Sequence, residues 1–527
     1  MARRAFVLSL FALLFAATAI SAQVAVTTQH NDNYRTGQNI SETILTPANV
    51  NQTQFGKLFS QAVDGYIYAQ PLYVPNVNVP GKGTHNIVYV ATEHDSVYAF
   101  DADNNSGANA APLWQTSFIN PAKGITTVSS SDVGCSDLVP EIGITGTPVI
   151  DLSSNTMYVL AKTKENGSFV QRLHALDITT GAEKLGGPVV ILAQVKGTGE
   201  GGNIIVFNPL RQAQRPGLVL QNGNVYIAWA SHCDIGPYHG WLLAYDAQTL
   251  LQKGVWNSTR NGGLGGIWMA GSGIASDAKN YVYVPTGNGT FDANLPGKDY
   301  GDSIIKVGFS MLGKLRPFDY FTPYDQNFLN NTDTDLGSGG VLLIPDRPGT
   351  KYPYLLVQAG KEGTVYVINR NKMGHYNPLN NNQIVQNLPG AVGGMWAMPA
   401  FWNNGVYFGG VNDNLKLFSF NPSTGVLSTT PVSNTSTSFG YPGTTPSISA
   451  NGAGNGIVWS LQTQNYNGGS SVLHAYEATN LSNELYNSQQ NPARDNPGGA
   501  VKFTVPTVAN GKVYVGAVKQ LSVYGLF

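Results

Sequence analysis

Charge is scarce in this chain. Asp, Glu, Lys and Arg together make up 12% of the 527 residues, about half the usual share, and the formal net charge is −1. A chain of this composition has no overall electrostatic basis for binding nucleic acid or an anionic membrane. After the N-terminal residues, no segment approaches the roughly 18 consecutive apolar residues of a membrane-spanning helix.

Several catalytic signatures are also absent. The sequence contains no Gly-x-Ser-x-Gly elbow, no His-Glu-x-x-His helix and no glycine-rich phosphate loop between a strand and a helix. It has no Cys-x-x-Cys-His string for covalent haem attachment. These absences argue against a serine hydrolase of the elbow type, a zinc protease and a nucleotide-binding enzyme.

Turn residues and a repeated β unit are abundant instead. Glycine contributes 61 residues and proline 29. The clearest copies of the unit read VYVATEHDSVYAFDAD (88–103), VYIAWASHCDIGPYHGWLLAYDAQT (225–249) and VYFGGVNDNLKLFSFNPSTG (406–425). Short strands of small residues precede the copies, near residues 69, 145, 214, 270, 338, 398, 444 and 504. Eight β units with a variable period predict an all-β fold, the eight-bladed β-propeller.

The last of these units has no outer strand of its own before Phe527. The segment GKLFSQAV at 56–63 can supply that strand, which would pair an open sheet edge and close the ring. We therefore expect residues 23–527 to form a single propeller domain, because blades that pack mainly on their neighbours are not limited by the size of one core.

The first 22 residues have the pattern of a signal peptide. Arg3 and Arg4 precede the apolar run AFVLSLFALLFAATAI, and Ser21-Ala22 provides small residues for cleavage. This predicts a mature protein that is periplasmic or secreted. The arginine pair also resembles a twin-arginine signal, so the export route stays open.

The two cysteines lie in polar stretches near the ends of successive units. Cys135 is in VGCSDLVPEIG and Cys233 is in SHCDIGPYHG. An oxidising compartment favours a disulfide between them. The alternative is two unpaired small residues. A metal site is less favoured, because His232 is the only further ligand type adjacent to either thiol.

A recurring turn carries a resemblance to a known family. ALDITTG at 175–181, echoed by AYDAQT at 244–249 and SFNPSTG at 419–425, resembles the blade signature of quinoprotein dehydrogenases, which use pyrroloquinoline quinone in an eight-bladed propeller. The resemblance covers nearly the whole mature chain. It is specific for the fold and less so for activity, because such blades also occur in non-enzymatic relatives such as outer-membrane assembly scaffolds.

Two segments resemble the calcium-binding part of that family. DIGPYHGWLLAYD at 234–246 is similar to a stretch whose acidic residue binds calcium. This implies Asp234 as a ligand and puts His239 at the position of a cofactor-contacting arginine. VPTGNGTFD at 284–292 is similar to a Gly-Thr-Gly-Asn loop and implies Asn288 as a ligand through its carbonyl. Such oxygen ligands suit Ca²⁺, although GNG by itself also reads as an ordinary turn.

Two further segments resemble the catalytic part of the family. FTPYDQNFLNNTDTDLGSGG at 321–340 is similar to the segment with the catalytic base, and implies Asp335, or alternatively Asp333 because of an insertion. VQAGKEGTVYVINR at 357–370 is similar to a strand with a cofactor-binding lysine, here Lys361. In this chemistry a carboxylate takes the substrate hydroxyl proton, while the lysine and Ca²⁺ stabilise negative charge on the quinone.

The sequence also departs from the family. The adjacent-cysteine pair is absent, since Cys135 is flanked by glycine and serine. Trp396 in GGMWAMPAFW matches a Gly-Gly-x-Asn-Trp segment, but Met395 occupies the asparagine position. Trp268 in GGIWMAGSG lies near the expected tryptophan floor under the cofactor without clear register.

Two functions follow from the resemblance. The first is a calcium-assisted dehydrogenase that oxidises an alcohol or sugar and passes electrons to a separate acceptor. The second is a non-catalytic propeller that binds a protein or glycan at the cell envelope. Convergence of Asp234, Asn288, Asp335 and Lys361 on one pocket would favour the first.

Overall fold

The computed structural model describes residues 23–527; the predicted signal peptide lies outside this range. Eight sheets are arranged around a central channel, and strands account for 45% of the residues against 5% for helices. The structure therefore confirms the predicted eight-bladed β-propeller. Among the described residues, no helix is long and apolar enough to cross a membrane.

The first four blades each contain four antiparallel strands in sequence order, with the first strand nearest the channel. Blade 1 contains Leu72–Val79, Gly83–Ala91, Ser96–Asp101 and Trp114–Ser117. Blade 2 contains Val149–Asp151, Thr156–Glu165, Ser168–Asp177 and Val189–Val190. Blade 3 contains Val219–Gln221, Asn224–Ser231, Trp241–Asp246 and Gln252–Asn257. Blade 4 contains Ala275–Ser276, Val282–Pro285, Ile304–Phe309 and Leu315–Thr322.

The next three blades repeat this arrangement, and the eighth differs. Blade 5 contains Leu342–Leu343, Leu355–Ala359, Val365–Asn369 and Gln386–Leu388. Blade 6 contains Ala400–Trp402, Gly405–Gly409, Asp413–Asn421 and Ser433–Phe439. Blade 7 contains Ser447–Asn451, Gly454–Gln462, Val472–Glu477 and Asn480–Asn487. Blade 8 contains Thr507–Ala509, Lys512–Leu526 and, from the other end of the chain, Phe55–Tyr66.

Short elements extend or connect the blades. The additional strands are Gln38–Asn39, Ile125–Ser129, Glu141–Ile142, Gln194–Lys196, Ile204–Val206, Gln212–Ala213, His375–Tyr376 and Val426–Leu427. The α-helices are Ser130–Val133, Gln326–Asn331 and Pro492–Asp495. The 3-10 turns are Gly107–Ala110, Pro121–Lys123, Leu336–Ser338 and Ser488–Gln490. They are surface or loop elements around the eight sheets.

The ring closes as the sequence predicts. Phe55–Tyr66 pairs antiparallel with Lys512–Leu526, in a register that runs from Phe55 opposite Leu526 to Tyr66 opposite Val518. The outer edge of blade 8 is thereby paired by a strand from the start of the chain, so the two ends are joined without a covalent bond.

Apolar side chains on both faces of each blade form the core. In Asn224–Ser231, Val225 and Ile227 pack in the cluster shared with blade 2, while Tyr226 and Ala228 pack in the cluster shared with blade 4. Each pair of adjacent blades shares one such cluster, including blades 8 and 1. Because successive side chains point to opposite faces and both faces are covered, the strands read as nearly continuous apolar runs.

The recurring tyrosine of a repeat makes a hydrogen bond to the turn between the third and fourth strands of the next blade. The Tyr158 hydroxyl in blade 2 donates to the Ala247 carbonyl, which follows Asp246 in the blade 3 turn. The same bond joins Tyr89 to Ile178, Tyr407 to Ala478 and Tyr514 to Ala102. A tyrosine of one blade thus satisfies a turn carbonyl of the next, which fixes their relative position.

The segment from residue 26 to residue 42 crosses the end of the channel and contacts every blade; we call it the N-terminal segment. Its backbone or side chains hydrogen-bond residues of the inner strands or their flanks in all eight blades: Tyr73, Ile150, Leu218, Leu220, Ile274, Ser276, Leu343, Phe401, Ile448 and Val508. A polar stretch is needed here because the inner strands present backbone groups that would otherwise be buried without partners.

Arg35 is the centre of the N-terminal segment. Its side chain is fully buried, and its guanidinium donates to the Leu218 and Ile274 carbonyls, at 3.1 and 2.9 Å, and to the Thr28 hydroxyl at 2.6 Å. Burial lowers the pKa of Arg35 to about 9, although nearby Asp32 opposes the shift, so the group stays charged at neutral pH. The buried charge is held mainly by backbone carbonyls of blades 3 and 4.

We expect Arg35→Gln to destabilise the whole ring. The substitution leaves buried carbonyls without donors, at about 1–3 kcal/mol each, so urea unfolding should show a loss of roughly 3 kcal/mol or more. Arg316→Gln, at an exposed position, is the matched control and should change stability by less than about 0.5 kcal/mol. Equal effects of the two variants would show that Arg35 is not a central contact.

Candidate functional site

A cavity of about 230 Å³ opens at the channel mouth. It is lined by Asp137, Arg215, Asp234, Trp268, Ala270, Asp335, Ser338, Lys361, Trp396 and Tyr441. Five residues that the sequence analysis singled out are in this lining. The cavity is therefore the candidate functional site.

Blade geometry explains why distant residues meet here. Asp234, Asn288 and Lys361 each lie between the second and third strands of blades 3, 4 and 5 respectively. Asp335 and Trp396 lie in connections that lead from one blade to the next. Strands alternate in direction within a blade, so these two kinds of loop are on the same face of the propeller.

Lys361 joins the two candidate base residues. Its ammonium lies 2.7 Å from Asp335 Oδ2 and 2.9 Å from Asp333 Oδ1. Asp335 is buried, whereas the Asp333 side chain is mostly exposed. Desolvation alone would lower the pKa of Lys361, but the Asp335 carboxylate and then Asp333 outweigh it and raise that pKa. The structure thus places Asp335 in the cavity wall and Asp333 at its edge.

Asn288 is bonded to both of these aspartates. Its backbone N–H donates to Asp335 Oδ1 at 2.8 Å and its side-chain amide donates to Asp333 Oδ1 at 3.0 Å. Gly287 permits this approach, since a Cβ there would lie 2.0 Å from Asp335 Oδ1. Within residues 23–527, the buried Asn288 Oδ1 atom has no hydrogen-bond donor. An amide oxygen in this state is available to a cation or a ligand N–H.

Asp234 faces the same cavity from blade 3. Its Oδ1 accepts a hydrogen bond from the Tyr238 hydroxyl at 2.5 Å. Desolvation raises the pKa of Asp234; the Tyr238 bond opposes that shift, and repulsion from Asp335 and Asp333 adds to it. The Asp234 carboxylate therefore lies in the electric field of the Asp335 cluster, and a positive ion between them would relieve the repulsion.

The disulfide between Cys135 and Cys233 confirms the preferred pairing. The two Cα atoms are 5.6 Å apart, and the bond joins positions separated by 98 residues. Cys233 and Asp234 both have positive φ, 49° and 52°, which is unfavourable for residues other than glycine. The disulfide holds this turn against the stretch that carries Asp137, so it fixes two carboxylates of the cavity lining.

The structure does not bring His239 to the cavity. Its Nδ1 lies 3.0 Å from the Thr259 hydroxyl and its Nε2 lies 3.3 Å from Glu200 Oε1, and the imidazole is buried in blade 3. Burial lowers its pKa, an effect that Glu200 partly opposes. In this position His239 does not occupy the place of the arginine that the resemblance implied.

Both tryptophans are in the cavity wall. Trp268 is nearly buried, and its Nε1 has no acceptor in the described part of the chain. Trp396 packs edge-to-face on Tyr441, with ring centroids 5.4 Å apart. The cavity therefore has aromatic surface on more than one side, which suits a flat ligand.

Arg215 is the main lining residue that the sequence analysis missed. Its guanidinium donates to Asp137 Oδ2 at 3.3 Å and lies 5.9 Å from the Trp268 ring centroid. The sequence did carry a signal for Arg215, which is its charge at the position directly before Pro216, the proline at the start of blade 3. At the same position other blades have Gln70, Thr147, Met398, Thr445 and Val505, so Arg215 is the one charged residue among these six.

Asp302 was also missed, and it lies behind Asp335 in the wall of the site. It is fully buried, and its Oδ1 accepts the Leu336 N–H at 3.2 Å, directly after Asp335. Burial raises the pKa of Asp302 well above its usual value, and the Asp335 charge adds to the shift. Nothing in its GDS context distinguishes it from an ordinary turn residue, so sequence alone offered no signal.

Comparisons with known proteins identify the architecture. No family model matches the chain, and no curated protein matches it. Among solved structures, quinohemoprotein alcohol dehydrogenases from Comamonas testosteroni and Pseudomonas putida HK5 are similar, at 16% and 15% identity and TM-scores of 0.59 and 0.60. The alignments cover 96% and 95% of this chain and 81% and 80% of those chains.

A europium-containing methanol dehydrogenase is also similar, at 13% identity and a TM-score of 0.58, over 95% of this chain and 98% of that one. At such identities the similarity establishes the fold alone. The chain has the eight-bladed propeller fold found in quinoprotein dehydrogenases.

The disulfide leads to a prediction about thiols and stability. Alkylation of the purified mature protein without reductant should leave both cysteines unlabelled in an intact-mass measurement. Replacing Cys135 and Cys233 together by serine should cost about 2–4 kcal/mol in urea unfolding, because a long loop is no longer closed in the unfolded chain. Quantitative labelling before reduction would contradict the disulfide.

Proposed function

We propose that this chain is a quinoprotein-type dehydrogenase that binds pyrroloquinoline quinone and a calcium ion, oxidises an alcohol or sugar and passes the electrons to a separate acceptor. One observation carries the proposal. Asp234, Asp335 and Lys361 come from separate loops of the ring and line one cavity, and Asn288 is hydrogen-bonded to Asp335 in its wall. The fold shared with quinoprotein alcohol and methanol dehydrogenases supports it.

The oxygen atoms at the cavity fit a hard cation. Asp234 supplies a carboxylate in the cavity lining, and Asn288, which is bonded to Asp335, supplies an amide oxygen that lacks a donor. A buried acceptor without a partner costs about 1–3 kcal/mol, which ion binding would relieve. Ca²⁺ and trivalent lanthanides share this preference for oxygen ligands. The presence of europium in a methanol dehydrogenase of similar fold makes Eu³⁺ a suitable probe.

The residues also fit a flat, anionic cofactor. Pyrroloquinoline quinone is a planar tricyclic quinone with three carboxylates. Trp268 and Trp396 offer ring surface, and Arg215 and Lys361 offer positive charge. The cavity volume is about 230 Å³, and the Arg215 guanidinium lies 5.9 Å from the Trp268 ring centroid within it.

Residues of the protein itself would then accept the hydroxyl proton of the substrate. When bound, the quinone would supply the two-electron oxidising capacity. Asp335 Oδ2 is the atom that would accept the hydroxyl proton of the substrate. The Asn288 N–H on Asp335 Oδ1 fixes the orientation of this carboxylate, and Lys361 forms an ion pair with its other oxygen at 2.7 Å. Lys361 also supplies the positive charge that would stabilise a developing oxyanion.

A metal-binding prediction tests the cation site without any turnover. Eu³⁺ luminescence should rise on binding to the protein, Ca²⁺ should compete, and Asp234→Asn should weaken Eu³⁺ binding by about tenfold or more, because it removes a charged ligand. Asp177→Asn, in a surface turn on another blade, should bind Eu³⁺ as the wild type does. If the two variants bind Eu³⁺ with equal affinity, the assignment of the cation site to Asp234 is wrong.

An activity prediction tests the base. After reconstitution with the quinone and Ca²⁺, Asp335→Asn should lower dye-linked alcohol or sugar oxidation by at least about 100-fold, as expected for loss of a general base. The same variant should keep the thermal shift caused by the cofactor, since a ligand that binds the native state stabilises it. Asp177→Asn is again the control. Full activity of Asp335→Asn would leave Asp333 as the candidate base.

The alternative function is a binding platform without catalysis. It is favoured by the half-exposed aromatic rings of Trp396, Tyr441 and Tyr466, which pack edge-to-face near the cavity. Such rings stack well on sugars or on side chains of a partner protein. If neither Eu³⁺ nor the quinone at high micromolar concentration shifts the melting temperature, this alternative replaces the enzyme.

A further inference from the structure

The turn that joins the third and fourth strands is polar in the blades that carry the repeat signature. In blade 2 the Asp177 carboxylate accepts the Thr179 N–H at 2.8 Å, and in blade 6 the Asn421 carbonyl accepts the Ser423 N–H at 3.0 Å. Each turn ends in a glycine with positive φ, Gly181 or Gly425. Polar residues are expected at such tips because they bond the local backbone and are exposed to water.

Blade 4 departs from this pattern. Its turn reads Phe309-Ser310-Met311-Leu312-Gly313, with Gly313 at the positive-φ position. Met311 and Leu312 therefore occupy the positions of the two threonines in the blade 2 signature. Met311 is fully exposed and Leu312 is 85% exposed. Two large apolar side chains are held in water at the tip of a tight hairpin.

Blade 3 keeps a polar turn but has leucine directly after it. Leu250 replaces the turn glycine and has a φ of 56°, and Leu251, which follows it, is 67% exposed. Gln252 Nε2 donates to the Leu192 carbonyl at 2.7 Å, and Leu192 is 72% exposed. We call Leu192, Leu251, Met311 and Leu312 the apolar rim.

The outer strands of these two blades are in contact. A Cβ placed on Gly254 would lie 2.7 Å from the Leu315 Cβ, so the strand that follows Leu251 packs on the hairpin that carries Met311 and Leu312. The apolar rim is therefore one local feature of adjacent blades and not a scatter of unrelated exposed residues.

Positive charge predominates around the apolar rim, although the Lys253 ammonium lies 3.9 Å from the Asp246 carboxylate. Lys253, Lys314 and Arg316 are exposed beside it, and the Arg316 guanidinium lies 4.6 Å from the half-exposed Phe318 ring. The stretches 250–254 and 310–318 contain no Asp or Glu. The net charge of −1 averages over the whole chain and conceals this local excess of positive charge.

Met311 and Leu312 lie on the opposite face from the cavity, Leu251 directly follows a turn on that face, and Leu192 is joined to this group by its bond to Gln252. Turns between third and fourth strands are at the other end of a blade from loops between second and third strands, because neighbouring strands are antiparallel. Asp234 and Lys361 are on loops of the latter kind. A partner on the apolar rim would therefore leave the cavity mouth open.

We propose that the apolar rim docks this protein on an anionic membrane surface. Exposed Leu and Met side chains insert into the boundary between headgroups and acyl chains, and the flanking Lys and Arg attract anionic headgroups. A protein partner would more commonly meet a surface with aromatic anchors and depleted lysine. This surface has aliphatic tips flanked by lysines, and the nearby Phe318 ring is covered on one side by Arg316. The proposal does not depend on the enzymatic function of the cavity.

The test is co-sedimentation of the full mature protein with vesicles. Phosphatidylcholine vesicles with phosphatidylglycerol should bind it at about 20 mM salt, binding should fall at about 500 mM, and pure phosphatidylcholine vesicles should bind far less. The double variant Met311→Ser, Leu312→Ser should bind about tenfold more weakly, because it removes the inserted side chains. Lys314→Glu with Arg316→Glu should abolish the preference for anionic lipid.

Matched controls distinguish vesicle binding through the apolar rim from nonspecific binding through other exposed residues. Leu295→Ser with Leu379→Ser removes two other exposed leucines, and Lys351→Glu with Lys372→Glu reverses two other exposed charges. Both controls should bind as the wild type does. All four double variants lie on the surface, and their thermal unfolding should match the wild type. Absence of binding to anionic vesicles at low salt, or equal losses in the rim and control variants, would overturn the proposal.

Discussion

The hydrogen bonds between the N-terminal segment and all eight blades are the constraint on which the rest of the structure depends. Packing between neighbouring blades is the same local interaction repeated, so by itself it sets neither the number of blades nor a closed ring. Arg35 and the backbone of the N-terminal segment satisfy inner-strand groups that no blade can satisfy alone. The tyrosine-to-carbonyl bonds then set the rotation from one blade to the next.

The candidate site depends on that framework in a simple way. The ring fixes where each loop begins and ends, and a few local features adjust the side chains. Gly287 allows Asn288 to approach Asp335, and the Cys135–Cys233 disulfide holds the strained turn at Asp234. The cavity combines carboxylates, the positively charged side chains of Arg215 and Lys361, and aromatic rings, because loops from several blades open onto the same channel mouth.

Much of this organisation was predictable from the sequence, for identifiable reasons. The nearly continuous apolar runs and recurring turns determine the blades, so their number and the closing strand followed from pattern alone. Loops of equivalent position share a face, which is why Asp234, Asn288, Asp335 and Lys361 were correctly placed near one another. His239 was not, because its imidazole is buried in blade 3 against Thr259 and Glu200. Arg215 was missed because no motif marks it, and its signal was a charge at a position that is uncharged in the other blades with a proline there.

The pairing of Phe55–Tyr66 with Lys512–Leu526 has a consequence for biogenesis. A ribosome makes the first of these strands more than 400 residues before its partner, so that strand waits with an unpaired edge while seven blades are synthesised. Until blade 8 is complete, the edge of Phe55–Tyr66 stays open to pairing with other chains, so aggregation competes with ring closure for as long as the intervening blades are being made.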